Sequence, residues 1–115
     1  MAKNYLLIYS EQLATDIELL CQNIKAPSNT LFQIRKSLSS VYANIREAHY
    51  AHGKADFIAK LQIALKEANE TGYWLELLYK TNYITESEYK AFDSACTCIR
   101  VMLISSINTA KENAK

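Results

Sequence analysis

Apolar side chains recur at steps of three and four along four stretches of this chain, and short interruptions separate the stretches. The first covers about residues 3 to 24. Tyr5, Leu6, Tyr9, Leu13, Ile17, Leu20 and Ile24 fall on one helical stripe there. Lys25, Ala26, Pro27 and Ser28 break it, because Pro27 cannot continue a helix, and Ser28 or Asn29 can cap the next one. The second stretch, about residues 30 to 52, carries Leu31, Ile34, Leu38, Val41, Ile45 and Ala48 in alternating steps of three and four, the seam of a helix packed against partners. Gly53 follows it as a terminating glycine would. The third, about residues 54 to 81, repeats the seam with Phe57, Leu61, Ala64, Ala68, Thr71, Leu75 and Leu78.

Asn82, Tyr83 and Ile84 form a short turn, and Thr85 and Glu88 then have the spacing of a capping box. The fourth helix uses Tyr89, Phe92, Cys96, Ile99, Leu103, Ile107 and Ala110 as its seam. Cys98, Val101, Met102 and Ile104 fill other faces of its centre. A helix with so little polar surface needs cover on more than one side, so another subunit is expected against it. Short connections make neighbouring helices antiparallel. The pattern predicts an all-α, antiparallel up-down four-helix bundle, with residues 1–115 forming a single domain.

Composition supports this and removes alternatives. Half of the 115 residues are hydrophobic and 22% are charged, which excludes a disordered chain. Two glycines and one proline are too few for the turns of an all-β fold. No apolar run approaches the roughly 20 residues that span a bilayer, and no basic, apolar and small leader opens the chain, so a cytoplasmic protein off the membrane is expected. The three cysteines are an odd number, and Cys96 and Cys98 point to different sides of a helix. Buried reduced thiols are the expected state.

A net charge of +1 gives the whole molecule no strong pull on nucleic acid. The distribution is uneven: residues 1–24 carry −2, residues 25–66 carry +5 and residues 67–115 carry −2. Within the basic segment, Arg35, Tyr42, Arg46 and His49 are spaced by seven, four and three, which holds them on one stripe of the second helix. Arginine forks onto phosphate and tyrosine stacks on bases, so this stripe is the candidate nucleic-acid contact. A solvated or subunit-facing side has the same pattern.

A polar row flanks the seams. Ser37, Ser40, Asn44 and Glu47 line one strip of the second helix, and Asp56, Lys60, Glu67 and Glu70 lie beside the seam of the third, with Ile63 and Trp74 among them. Asn44, Glu47, Lys60, Lys66, Glu67 and Glu70 are expected to form a structural network that fixes helix register, since buried polar groups need partners. A carboxylate-bridged metal site would require Glu-x-x-His pairs on two helices. The chain has none, so neither a metal nor any other cofactor is expected. His49 and His52 have a chelating spacing but no third ligand. Arg46 and His52 have the gap of an Arg-x(4–6)-His ribonuclease signature, as in the helical HEPN domains, and give the alternative reading of an RNase-like enzyme. The aromatic residues Tyr73, Trp74, Tyr79 and Tyr83 read as core or subunit packing. No phosphate loop, hydrolytic triad or zinc spacing occurs, so no catalytic residue and no small-molecule substrate are assigned.

Three stretches carry a resemblance. They are QIRKSLSSVYANIREA at 33–48, ADFIAKLQIALKEANETGYWLELL at 55–78 and NYI at 82–84. The specific parts are Asn44 with Glu47-Ala48, Asp56-Phe57 with Lys60-Leu61, and Lys66-Glu67 followed by Glu70 and Tyr73-Trp74-Leu75. In these the chain resembles the bacterial four-helix bundle proteins called 23S rRNA intervening-sequence proteins, or S23 ribosomal proteins. It departs from many members at Tyr42, where they have proline, at Arg46-Glu47-Ala48, where they have Ala-Glu-Gly, and at Gly72, where they have a larger residue.

The resemblance implies a left-handed antiparallel bundle that forms a ring-like homopentamer. Genes of some members lie inside insertions in ribosomal RNA genes. A related accessory protein of diversity-generating retroelements binds nucleic acid and a reverse transcriptase. No member is an accepted enzyme. The expectation is therefore a non-enzymatic oligomeric scaffold whose partner is RNA, DNA or a nucleic-acid enzyme. Two alternatives stand beside it: the RNase-like enzyme using Arg46 and His52, and a purely structural oligomer.

Overall fold

The structure, a computed structural model, describes residues 4–113. Four helices account for nearly all of them: α1 Tyr5–Asn23, α2 Ser28–His49, α3 Lys54–Lys80 and α4 Glu86–Asn113. The expected start of the first helix at residue 3 lies outside the described residues. Each helix packs on its neighbours in sequence, and α1 closes the bundle on α4; the diagonal pairs, α1 with α3 and α2 with α4, do not approach closely.

Cross-helix bonds give the direction. Asn4 meets His49 and Glu18 meets Arg35, and both pairs are centred on the Ala26–Pro27 turn. Ser37 meets Thr71 and Glu47 meets Lys60, centred near Gly53. Cys96 meets the Ala68 carbonyl, Arg100 meets Asn69, and Tyr79 stacks on Tyr89, all folding back about the turn after α3. Pairs that open symmetrically about a turn can arise only between antiparallel helices. The result is a rod of 48 × 24 × 22 Å.

The seams of α2, α3 and α4 form the core as the spacing predicts. Ile34, Leu38, Val41, Ile45, Leu61, Ala64, Ala68, Leu75, Leu78, Ile99 and Leu103 are all buried. α1 differs from its predicted stripe. Leu13, Ile17 and Leu20 are buried, but Tyr5 and Tyr9 are exposed and Ser10 takes the inward position. The Ser10 hydroxyl donates to the Leu7 carbonyl at 3.1 Å, which satisfies a polar group that would otherwise be costly to bury.

The helix ends follow local chemistry. Asn4 Oδ1 accepts from the Leu7 N–H and caps α1. α2 starts at Ser28, two residues earlier than expected, with Pro27 preceding it and no side-chain cap, so neither Ser28 nor Asn29 serves as the cap. α2 also ends earlier than expected, at His49; Tyr50 and Ala51 continue only as turn bonds to the Glu47 and Ala48 carbonyls. Gly53 is extended and precedes α3, so it opens the next helix and does not close α2.

The left-handed residue is Asn82, φ 66°, beyond the end of α3. Its N–H donates to the Tyr79 carbonyl and the Tyr83 N–H to the Leu78 carbonyl, the paired bonds of a Schellman end. The Thr85–Glu88 capping box forms in both directions, with the Glu88 N–H on Thr85 Oγ1 at 3.0 Å and the Thr85 N–H on Glu88 Oε1 at 2.8 Å.

α4 leaves apolar surface uncovered, as α1 and α3 also do. Val101 is 60% exposed and Ile104 46%, and Cys98 is exposed beside them. No helix among the described residues is long and apolar enough to cross a membrane.

Candidate functional site

The stripe of Arg35, Tyr42, Arg46 and His49 forms on α2, with Arg35, Tyr42 and His49 turned towards α1 and its cap and Arg46 bordering α3. Arg35 is committed to α1. Its Nε and Nη2 donate to the two carboxylate oxygens of Glu18 at 2.9 and 3.0 Å, and Gln22 adds a bond to the same carboxylate at 3.1 Å. The fork of bonds from Arg35, and then the bond from Gln22, hold the Glu18 carboxyl below its ordinary range. Arg35 therefore ties α1 to α2 and is not a free phosphate ligand, a use its position on the stripe did not reveal. Tyr42 is half-buried in a depression with Glu11, Ala14, Thr15, Glu18 and Leu19 of α1. His49 Nδ1 lies 3.1 Å from Asn4 Nδ2 and secures the start of α1.

Arg46 and His49 are the exposed members, and Arg46 has no ion pair among the described residues. It shares a surface depression with Ala43, Glu47, Tyr50, Asp56 and Lys60. Tyr50, 70% exposed, sets its ring edge-on to His49 at a centroid distance of 4.8 Å. The sequence reading missed Tyr50 because it follows the last helical turn; its only signal was an aromatic ring next to His49. The open end of α2 thus offers one guanidinium, one imidazole and one phenol, groups that bind anions and stack on flat rings.

The buried network is not formed. Glu47 is 61% exposed and reaches Lys60 at 3.4 Å, an ion pair in solvent. Asn44 bonds within its own helix to the Ser40 carbonyl and hydroxyl. Lys66 is exposed, and Glu70 accepts from Trp74 Nε1 at 3.3 Å along α3. Burial first, and then the Glu70 charge, raise the Glu67 carboxyl above its ordinary range. None of the six is buried, and Glu47 and Lys60 pair across α2 and α3 at the surface. The small residues Ser37, Ala48, Ala64 and Ala68 take buried positions on the two helices, where long charged chains would be costly to desolvate. The buried polar contact is one layer deeper, between Ser37 Oγ and Thr71 Oγ1 at 2.9 Å.

The other constellations come apart. His52 lies in the turn beyond α2, so neither its spacing from His49 nor that from Arg46 is helical. No group of three or more His, Cys, Asp or Glu side chains among the described residues could hold a metal ion. Cys21 and Cys96 are buried free thiols, and burial pushes Cys96 up to about 11. Of the aromatic residues, Tyr79 packs against the core and stacks on Tyr89 at 4.8 Å, while Tyr73 is exposed and meets Trp74 edge-on.

A second feature is a groove of about 330 Å³ between α1 and α4, lined by Tyr9, Leu13, Phe92, Ala95 and Cys98 with Gln12 and Asp16 at its edge. Tyr5, Ile8 and Leu19 continue exposed apolar surface along α1.

Comparison with known proteins gives a consistent picture. A family profile described as 23S rRNA-intervening sequence protein matches residues 7–105. No curated protein matches the chain. The crystal structure of a protein of unknown function from the S23 ribosomal protein family of Bacteroides thetaiotaomicron is 46% identical, with a TM-score of 0.85, over 89% of this chain and 97% of that one.

Proposed function

The chain belongs to the 23S rRNA-intervening sequence protein family, and from that premise we propose that it is a non-enzymatic, self-assembling cytoplasmic scaffold that presents a nucleic-acid contact at the open end of α2. The observation that carries the reading is the apolar surface left over after the bundle has closed. Tyr5, Ile8, Tyr9, Leu19, Val101 and Ile104 are exposed although each helix has filled its core seam. Apolar surface of this extent on a folded domain marks an interaction site. The assembly is the homopentamer that the family resemblance implies. Light scattering at micromolar concentration is expected to give a mass near five times 13.1 kDa; a monomer mass at all concentrations would end this reading.

The nucleic-acid contact is proposed at Tyr42, Arg46 and His49, with Tyr50 extending it and Arg35 holding the helix beneath. Net charge of +1 gives little general attraction, so affinity must come from local contacts repeated on several subunits. Arg46→Ala is expected to weaken RNA or DNA binding and to reduce the slope of log K against log salt by roughly one. Unchanged affinity and slope in an intact oligomer would remove Arg46 from the contact.

A further inference from the structure

Resting on the assembly proposed above, we infer that copies of this chain meet head to tail, a strip of α1 beside the α1–α4 groove of one copy lying antiparallel against the outer strip of α3 on the next. Along α1, Tyr9, Asp16 and Leu19 are separated by seven and then three residues; Tyr9 and Leu19 are exposed. Along α3, Tyr73, Lys66 and Ile63 have the same separations in the opposite chain direction, and Tyr73 and Ile63 are exposed. Helical spacing of seven and three keeps each trio on one face. Laid antiparallel, the strips set Tyr9 against Tyr73, Asp16 against Lys66 and Leu19 against Ile63 at once.

The charges agree with this pairing. Asp16 accepts a bond from Gln12 at 2.9 Å, and neither it nor Lys66 has an ion-pair partner among the described residues. Tyr9 and Asp16 border the groove between α1 and α4, and α3 is diagonal to α1, so the two strips lie on different sides of each copy. A contact between two unlike surfaces leaves one of each free at every step, and it ends only when the chain of copies closes on itself. Pairing α3 with a second α3 would instead bring Lys66 to Glu70, but that contact stops at two copies and leaves the α1 strip bare. It would also draw on Glu70, already bonded to Trp74.

The test is a charge swap read by sedimentation at low salt, with circular dichroism confirming the fold. Asp16→Lys and Lys66→Asp, made singly, are expected to shift the mass towards 13.1 kDa, and the double variant to return it to that of the unmodified protein. The neutral variants Asp16→Asn and Lys66→Gln, which keep side-chain size, are expected to show a smaller shift in the same direction. Single variants at full mass, or a double variant that stays dissociated, would overturn the pairing while leaving the scaffold reading intact. Loss of assembly in Lys66→Asp but not in Asp16→Lys would favour α3 on α3 and overturn it too. An unmodified protein that sediments as a monomer would remove both readings together.

Discussion

Ser37 and Thr71 are the two hydroxyls that α2 and α3 bury against each other, and they form a short relay. Thr71 Oγ1 donates to the Glu67 carbonyl, and Ser37 Oγ meets both Thr71 and the Ile34 carbonyl. Thr71→Val keeps the shape but removes one partner, so it is expected to cost about 1 kcal/mol in urea unfolding. Adding Ser37→Ala should cost less than the two single losses combined, because the residues share one contact. Glu18 and Glu67 make opposite pH signatures. Glu18 is held below 4.5 by Arg35 and Gln22, so its contribution is present above that value and is lost as pH falls through the depressed one. At this half-exposed pair Glu18→Gln should cost about 0.5 kcal/mol at pH 7 and nothing in strong acid. Glu67 is raised above 4.5, so the fold favours its protonated form and loses stability as pH rises through the raised value. Glu67→Gln is therefore expected to be more stable than the unmodified protein at pH 7 and equal to it in acid, as paired melting curves would show.

At the scale of the helices, the turn between α3 and α4 is where sequence and structure agree most closely. The Thr85–Glu88 box was legible because it is made of neighbours four residues long, and Thr85→Ala is expected to lower stability by about 1 kcal/mol in thermal unfolding. The seams of α2, α3 and α4 were legible for a related reason: helical period alone decides which side chains share a face. Asn82 was placed in a turn, but its left-handed backbone was not foreseen, since asparagine has this role less often than glycine. Asn82→Gly should be tolerated, whereas Asn82→Val should destabilise by more than the loss of the cap alone, a contrast that melting temperatures would reveal. What the sequence could not give is how far each face turns relative to its neighbours. Asn44 and Glu47 sit beside the seam, and a small rotation separates a buried network from the solvent edge they occupy. Arg35 was legible as part of a stripe, but its partner Glu18 lies on another helix and depends on the register that the Pro27 turn sets. His52 failed as a helical residue because α2 ends three residues before it.

At the scale of the molecule, a single rod leaves its surplus apolar surface on α1, α3 and α4, and the proposed ring would use it. The order in which the helices pack has a kinetic consequence. α1 touches α2, α2 touches α3 and α3 touches α4, and only the closure of α1 on α4 joins segments far apart along the chain. Most contacts thus form between residues separated by one hairpin, and chains with such local topology reach the native state within microseconds to milliseconds. Association of copies requires diffusion and must come later. On dilution from urea, stopped-flow signals are expected to separate into a fast phase independent of protein concentration and a slower one that accelerates with it. A fast phase that itself depended on concentration would mean that the rod cannot form alone, and that each copy completes its fold only on the surface of another.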